Sequence, residues 1–288
     1  QLAFACKAPK IRIMWAMLMV TAASLSFVAW LVWGPWLREH QRSRIRAQVF
    51  PAPWRRILRR RVPMVAKLPT PLQQQLKRHM QVFLAEKPLI GCGGMQINDE
   101  VRVTVAAQAC LLLLGRSEPA YFPLLKQILV YPAAFVVQRE VGVGAGVLSE
   151  QRRALAGESW TQGQVILSWQ DCVQGAALPD DGHNVVIHEF AHQLDQEKGH
   201  ANGAPILARR SHYEAWSQVM QNEYLRLQAD VAQGLPTLLD PYGATDPAEF
   251  FAVASEVFFE RGRELSTLHP ALYDQLRSFY RLDPANWN

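Results

Sequence analysis

One segment constrains the fold more than any other, and it reads NVVIHEFAHQLDQEK from Asn184 to Lys198. Apolar residues recur in it at helical spacing, namely Ile187, Phe190, Ala191 and Leu194. This periodicity predicts an amphipathic α-helix, and Gly199 is placed to end it as a C-cap. The residues Val185 to Ile187 are also apolar, so we expect the helix to be partly buried.

Two histidines lie four residues apart on this helix. His188 and His192 therefore stack one turn above the other and can direct both imidazoles at one ion. Glu189 is rotated by about 100° from His188, too far to be an equal ligand but near enough to reach a water on the metal. Burying two neutral imidazoles without a partner is costly, which favours a metal over a chance arrangement on a solvated face. The pattern predicts one zinc ion per chain, with Glu189 as general base.

A catalytic zinc ion needs a third protein ligand. The residues after His192 do not fit the longer pattern His-Glu-x-x-His-x-x-Gly-x-x-His, so the ligand must come from elsewhere. A second helix is predicted from Asp246 to Glu260, with Asp246 as its N-cap. Glu249 and Glu256 share one face of that helix, and spacing alone does not choose between them. Glu249 also fits a capping box, which would give it a purely structural role.

Four other polar residues lie close to these motifs. Tyr242 could donate its hydroxyl to a developing oxyanion, or it could simply pack in a turn. Asp195 shares a helix face with the two histidines and could accept a ligand N–H, or it could be solvated at the helix end. His183 and His200 lack the helical register of the pair, so we predict that both are surface residues.

An uncharged apolar run extends from Ile13 to Trp33 and is long enough to cross a bilayer as one helix. Tryptophans lie near its ends, as interfacial anchors do: Trp15, Trp30, Trp33 and Trp36. A cleaved signal peptide is the alternative, but the run is longer than a usual signal and no clear cleavage site follows it. We therefore expect a transmembrane helix within residues 1–37.

Basic residues are concentrated directly after this apolar run. The chain has 30 Lys and Arg against 25 Asp and Glu, a net charge of +5. Much of the excess lies in one stretch: Arg38, Arg42, Arg44, Arg46, Arg55, Arg56, Arg59, Arg60 and Arg61. The positive-inside rule predicts a single-pass protein of the cytoplasmic membrane whose C-terminal domain faces the cytoplasm, with a soluble cytoplasmic protein as the alternative. No nucleic-acid-binding fold accompanies the arginines, so direct nucleic-acid binding is not expected.

Composition also suggests the domain boundaries. Residues 38–69 are rich in Arg and Pro and predict a juxtamembrane linker outside the core. Helical periodicity begins at Thr70, a predicted N-cap followed by Pro71 in the first turn, so the metal-binding domain is expected at 70–288. The four cysteines are widely spread and predict no disulfide: Cys6, Cys92, Cys110 and Cys172.

The middle of the chain predicts a small sheet among helices. Val101 to Leu114 is rich in Ala and Leu, which favours a buried helix. Ile128 to Val137 and Val165 to Trp169 are β-branched and aromatic, so both predict short strands. Gly142 to Gly146 reads GVGAG but lacks the remainder of any nucleotide-binding motif, and we predict a flexible loop.

Several stretches together resemble one known family, the Mlc titration factor A proteins, which are zinc peptidases related in their active site to anthrax lethal factor. The likeness covers roughly Pro63 to Pro284. Its anchors are VYPAAFVV at Val130–Val137, ESWTQGQVILSWQD at Glu158–Asp171, NVVIHEFAHQLD at Asn184–Asp195, DPYGATDPAEFFAVASEVFF at Asp240–Phe259 and SFYRLDP at Ser278–Pro284.

The resemblance implies an α+β, mainly helical zincin-like domain with a small mixed sheet and aminopeptidase activity on small peptide substrates. It implies that Glu249 is the third zinc ligand, that Glu256 is a carboxylate behind the ligands, and that Tyr242 stabilises the transition state. Some members bind the repressor Mlc, so a regulatory protein that sequesters a transcriptional repressor is the alternative function. The apolar N-terminal run departs from the soluble members of the family.

Overall fold

The computed structural model describes residues 8–116, 119–133 and 163–287. The chain divides into two compact units, Gln1–Gln48 and Val49–Asn288. The first unit contains helix α1, Ala8–Arg46. From Met14 onward this helix is long and apolar enough to cross a bilayer, a test of length and composition that a signal sequence also passes.

The second unit begins within the segment that composition predicts as a linker. Helices α2, Ala52–Arg61, and α3, Met64–Lys67, belong to it. The side chains of Leu58 and Val62 are buried in it. The core therefore starts before the predicted boundary at Thr70. An arginine-rich helix can bury the apolar residues on one of its sides while its guanidinium groups stay in water.

Two longer helices follow, α4 at Thr70–Glu86 and α5 at Asp99–Leu111, and they pack against each other. The N-cap position of α4 is Pro69, which has no side-chain acceptor, so the prediction of Thr70 as N-cap is wrong by one residue. The buried helix predicted for Val101 to Leu114 is confirmed in α5 and the turn after it.

The described strands form one three-stranded sheet in the order β1-β2-β3. Its strands are β1, Leu89–Gly91, β2, Gln127–Tyr131, and β3, Gln164–Ser168. Both pairings are parallel, with Leu89 opposite Ile128 and Gln127 opposite Gln164, so the prediction of a mixed sheet is wrong for the described strands.

The two predicted strands are found with shifted ends. Trp169 is not in a strand but begins helix α6, Trp169–Ala177, which Ser168 caps by accepting from the amide of Asp171. The far end of the predicted strand at Val137 and the glycine loop at Gly142 to Gly146 lie outside the described residues.

The remaining regular elements of the described chain are helices, which makes the protein mainly helical with a small parallel sheet. The α-helices are α7, Val185–Asp195; α8, His212–Ala232; α9, Pro247–Glu260; α10, Gly262–Leu268; and α11, Pro270–Tyr280. Short 3-10 turns lie at Gln196–Lys198, Pro241–Ala244 and Pro284–Asn286. Helix α7 packs against α5, α6, α9 and β3, which places it at the centre of the unit.

The described cysteines agree with the prediction of no disulfide. Cys92, Cys110 and Cys172 are free thiols, and Cys6 lies outside the described residues. Burial raises the pKa of the Cys110 thiol well above its ordinary value. We therefore regard Cys110 as a small apolar core residue.

Candidate metal centre

Helix α7 begins where the sequence predicts, but its α-helical part ends at Asp195, three residues before the predicted end at Lys198. The side chain of Asn184 accepts from the amide of Ile187 at 3.0 Å, as an N-cap does. At the other end the chain passes through a 3-10 turn to Gly199, whose φ of +135° suits a glycine. Every side chain from Val186 to Asp195 is buried. The histidines of this helix therefore lie in the interior and not on a solvated face.

His188 and His192 direct ring nitrogens at each other. Their Nε2 atoms are 3.2 Å apart, and the side chains are 8% and 0% exposed. Glu249 reaches the same point from α9, with its Oε2 atom 2.9 Å from Nε2 of His188 and 3.5 Å from Nε2 of His192. The three potential ligand atoms lie within 4.8 Å of one another.

These three side chains fit a metal ion. Two imidazoles and one carboxylate are the protein ligands of many catalytic zinc sites, which keep a fourth position open. A buried arrangement in which two ring nitrogens and a carboxylate oxygen converge is unfavourable without a cation or a proton between them. His188, His192 and Glu249 could therefore hold a metal ion of the kind that the His-Glu-x-x-His spacing predicts.

Glu256 lies behind the ligand atoms and not among them. Its Oε1 atom is 2.7 Å from Nδ1 of His188, and its Oε2 atom accepts from the backbone amide of Asn184. A carboxylate at Nδ1 holds the proton there and leaves Nε2 free to face the centre. Spacing alone makes Glu249 and Glu256 equal candidates for the third ligand. In the structure Glu249 faces the inner nitrogens and Glu256 faces the outer one.

The electrostatics of the centre favour positive charge. Burial disfavours a charged His188, but the carboxylates of Glu256 and Glu249 outweigh it and raise the pKa of this histidine to about 10. Burial lowers the pKa of His192 to about 4. The pKa of Glu249 falls well below its ordinary value because the two histidines outweigh the effect of burial. A metal ion would supply the positive charge that these groups stabilise.

Sequence reasoning missed one part of the centre, the buried pair of Asn184 and Glu260. The amide nitrogen of the Asn184 side chain donates to Oε1 of Glu260 at 2.9 Å, and the backbone amide of Gly182 donates to Oε2 at 3.1 Å. Burial raises the pKa of Glu260 to about 8. The available signal was the spacing of Glu256 and Glu260, which are four residues apart and so share a helix face.

The other predicted residues fall into two groups. Glu189 is buried on α7 and close enough to His188 to help raise its pKa. Tyr242 is half-buried in the turn before α9, and its ring centroid lies 6.2 Å from that of His188. Both residues therefore lie beside the centre. His183 and His200 are exposed, as predicted.

Asp195 has neither of the two predicted roles. It is buried, and its Oδ2 atom accepts from the backbone amides of Asn202 at 2.8 Å and Gly203 at 2.7 Å. Asp195 thus ties the end of α7 to the segment that follows it. The same segment is held from its other side, since the indole of Trp216 donates to the carbonyl of Gly203 at 2.9 Å.

A buried centre with three converging protein ligands and a neighbouring glutamate is the arrangement of a metal-dependent hydrolase. The chain matches, over residues 36–281, the family described as glucose-regulated metallo-peptidase M90, and it belongs to that family. The predicted relationship to the Mlc titration factor A proteins is thereby confirmed, as the following identities also show.

Three relatives illustrate the similarity. An uncharacterized protein of Synechocystis sp. is 43% identical over 255 residues, which cover 88% of this chain and 92% of that protein. Mlc titration factor A of Cronobacter sakazakii is 33% identical over 253 residues, covering 87% and 91%. Mlc titration factor A of Yersinia enterocolitica is 34% identical over 240 residues, covering 81% and 86%. The chain is therefore a metallopeptidase-family protein over nearly its whole length.

Proposed function

We propose that this protein is a zinc-dependent, zincin-like peptidase with one zinc ion per chain, held by His188, His192 and Glu249. The observation that carries the proposal is the convergence of their three ligand atoms within 4.8 Å in a buried centre. We further propose an aminopeptidase-like preference for small peptide substrates, which rests on the family resemblance.

The chemistry follows from the residues around that point. Zinc bound there would act as a Lewis acid toward the scissile carbonyl and lower the pKa of a bound water. Glu189 takes the proton of the attacking water and returns it to the leaving amine. Tyr242 donates its hydroxyl to the oxyanion. Glu256 keeps the proton of His188 on Nδ1, so that Nε2 stays available to the centre.

Peptide hydrolysis accounts for the site better than the alternative of repressor sequestration. A binding protein has no need for a buried carboxylate such as Glu189 beside two converging histidines. The name Mlc titration factor A states that those relatives titrate Mlc, and a repressor partner of this chain would be an addition to catalysis. We also propose that α1 anchors the chain in the cytoplasmic membrane, with the arginines after it on the cytoplasmic side. No role in direct nucleic-acid binding is proposed.

The test uses the full chain in mild detergent, with zinc per chain measured by plasma mass spectrometry and turnover measured on aminoacyl nitroanilides. Glu189→Gln should keep about one zinc and lose turnover by about 10²-fold or more, because only the general base is removed. Glu249→Gln should lose zinc as well. Glu264→Gln is the matched control, since this exposed glutamate lies on α10 and should change neither quantity.

Four outcomes would contradict the proposal or one part of it. Normal turnover in Glu189→Gln would show that this carboxylate is not the base. If the folded wild-type protein contained no bound zinc after zinc had been supplied, the centre would not hold the metal. Equal turnover of free and N-acetylated substrates would sink the aminopeptidase preference alone. If Glu189→Gln kept both repressor binding and the cellular phenotype, sequestration would replace catalysis as the function.

A further inference from the structure

A second candidate site is a cavity of about 410 Å³ in the same compact unit, and none of the proposed zinc ligands lines it. The segment before α8, the first turn of α8 and the end of α11 form its wall. Its lining includes Arg116, Leu207, Trp216, Ser278, Phe279 and Arg281. Its volume lies in the range of pockets that hold small molecules. The chemistry of its wall therefore indicates which ligand it would select.

The first charged group in the wall is Arg116, which lies shortly after α5. Its side chain is half-buried, and its guanidinium carbon lies 5.1 Å from the ring centroid of Phe279. Across the described parts of the chain, no carboxylate forms an ion pair with it. Glu197 is the acidic residue that acts on its pKa, against the lowering effect of burial. A stacked guanidinium keeps its edge donors free for a ligand in the cavity.

The second charged group is Arg281, at the C-cap of α11. Its φ is +56°, in the left-handed region where helices usually carry glycine. Gly115 packs against this backbone so closely that a Cβ there would lie 2.7 Å from the carbonyl oxygen of Arg281. The chain thus holds an arginine in a strained conformation at the edge of the cavity. Strain of this kind concentrates at sites with a function.

Both arginines line the same cavity, and the charge of Arg281 adds to the effect of burial in lowering the pKa of Arg116. Two guanidinium groups at one cavity repel each other unless an anion lies between them. The remaining wall combines apolar side chains, among them Leu207, Trp216 and Phe279, with polar ones such as Ser278. A ligand that suits this wall has an anionic end and an apolar body.

We propose that this cavity binds a compound that carries an oxyanion on an apolar body. Arg116 and Arg281 hold the oxyanion, because guanidinium groups match the geometry of both carboxylates and phosphates. Trp216, Phe279 and Leu207 contact the apolar body. A structural role limited to stacking on Phe279 would explain the position of Arg116, and capping of α11 would explain the backbone of Arg281, but neither explains why both side chains line one cavity.

The oxyanion could belong to a phosphate ester or to the carboxylate of a peptide end, so the experiment uses two probes. Phenyl phosphate and N-acetylphenylalanine are titrated separately into the full chain in mild detergent at physiological salt, with binding followed by calorimetry. We expect saturable binding of at least one probe. Tighter binding of phenyl phosphate would identify a phosphate ester, and tighter binding of N-acetylphenylalanine would identify a peptide carboxylate.

Three variants decide whether binding occurs in this cavity. Arg116→Met should weaken binding by about tenfold or more, because it removes a charge-assisted hydrogen bond. Ser278→Trp should weaken binding to a similar extent, because the indole fills the cavity while both guanidinium groups stay in place. This variant keeps the proposal testable if Arg116→Met fails to fold. Arg210→Met is the matched control: it makes the same change of charge at an exposed residue outside the wall, and should change affinity by less than about twofold.

Any of three results would overturn the proposal. The first is that neither probe binds saturably. The second is that Arg210→Met weakens binding as much as Arg116→Met does, which would indicate unspecific attraction to positive charge. The third is that Arg116→Met and folded Ser278→Trp both bind the probe as tightly as the wild type does. The last result would mean that the probe binds elsewhere, for example at the proposed zinc centre. These results bear on the cavity and leave the zinc and turnover measurements as a separate test.

Discussion

Asn184 connects the start of the central helix to a buried carboxylate, and its replacement by alanine tests both contacts. Asn184→Ala removes the cap that accepts from the amide of Ile187. It also removes the amide that donates to Glu260 at 2.9 Å. The backbone amide that donates to Glu256 remains in the variant, so the support of His188 by Glu256 is unchanged.

The expected cost is the sum of two effects. Loss of an asparagine N-cap costs about 1 kcal/mol of unfolding free energy. Loss of the donor to a buried acceptor costs about 1–3 kcal/mol, because the Glu260 oxygen is left without that partner. Asn184 is only 1% exposed, so water does not replace the missing donor without rearrangement. Asn184→Ala should therefore destabilise the protein by about 2–4 kcal/mol.

The chain offers a matched control in Asn98, the N-cap of α5. Its side chain accepts from the amide of Val101 at 3.1 Å, in the same geometry, but the residue is exposed and has no buried carboxylate partner among the described residues. Asn98→Ala should cost only the cap, about 1 kcal/mol. Denaturant unfolding of the full chain in detergent, followed by circular dichroism, measures both variants under identical conditions.

The comparison isolates the contact with Glu260. A difference of about 1–3 kcal/mol between the two alanine variants is expected. Equal losses for Asn98→Ala and Asn184→Ala would refute the reasoning, since the buried hydrogen bond would then contribute nothing to stability. Zinc content should stay near that of the wild type in both variants, because neither residue supplies a ligand.

Three further predictions concern stability. Burial raises the pKa of Glu260 to about 8, and the unfolded carboxyl titrates near 4.5. The unfolding free energy should therefore fall as pH rises between these values, by up to about 1.4 kcal/mol per pH unit, and denaturant titrations of Glu260→Gln should show a flatter profile. Leu58→Ala should lower the unfolding free energy by about 2–4 kcal/mol in the same assay. Leu178→Ala is the control and should lower it little, because this leucine is 51% exposed. Equal losses of stability in the two variants would exclude Leu58 from the core. Gly203→Ala should lower the melting temperature more than Gly234→Ala does. Both glycines have positive φ, but only a Cβ at Gly203 would lie 2.4 Å from a backbone carbonyl oxygen.

The N-terminal part of the compact unit shows where composition misleads. Residues 38–69 look like a tether because Arg and Pro dominate them. Leu58 nevertheless lies in the core, and α2 packs against α5. Composition averages over a segment, whereas burial of a short helix requires only a few apolar residues on one side.

The sheet shows a second limit. Alternating burial along β2 and β3 matches their β-branched sequences, so both strands were predicted. Strand β1 has only three residues and gave no periodic signal. The parallel direction of each pairing depends on how distant segments return to the sheet, which local sequence does not specify.

Local sequence by itself determined the two helices that carry the candidate metal ligands. The apolar period of α7 placed His188 and His192 on one face, and Asp246 capped α9, because capping and periodicity act over a few residues. Only the tertiary structure brought Glu249, and not Glu256, to the inner nitrogens of both histidines. The two glutamates share one helix face, so the choice depends on how α9 packs against α7, which is set by side chains far apart in the sequence.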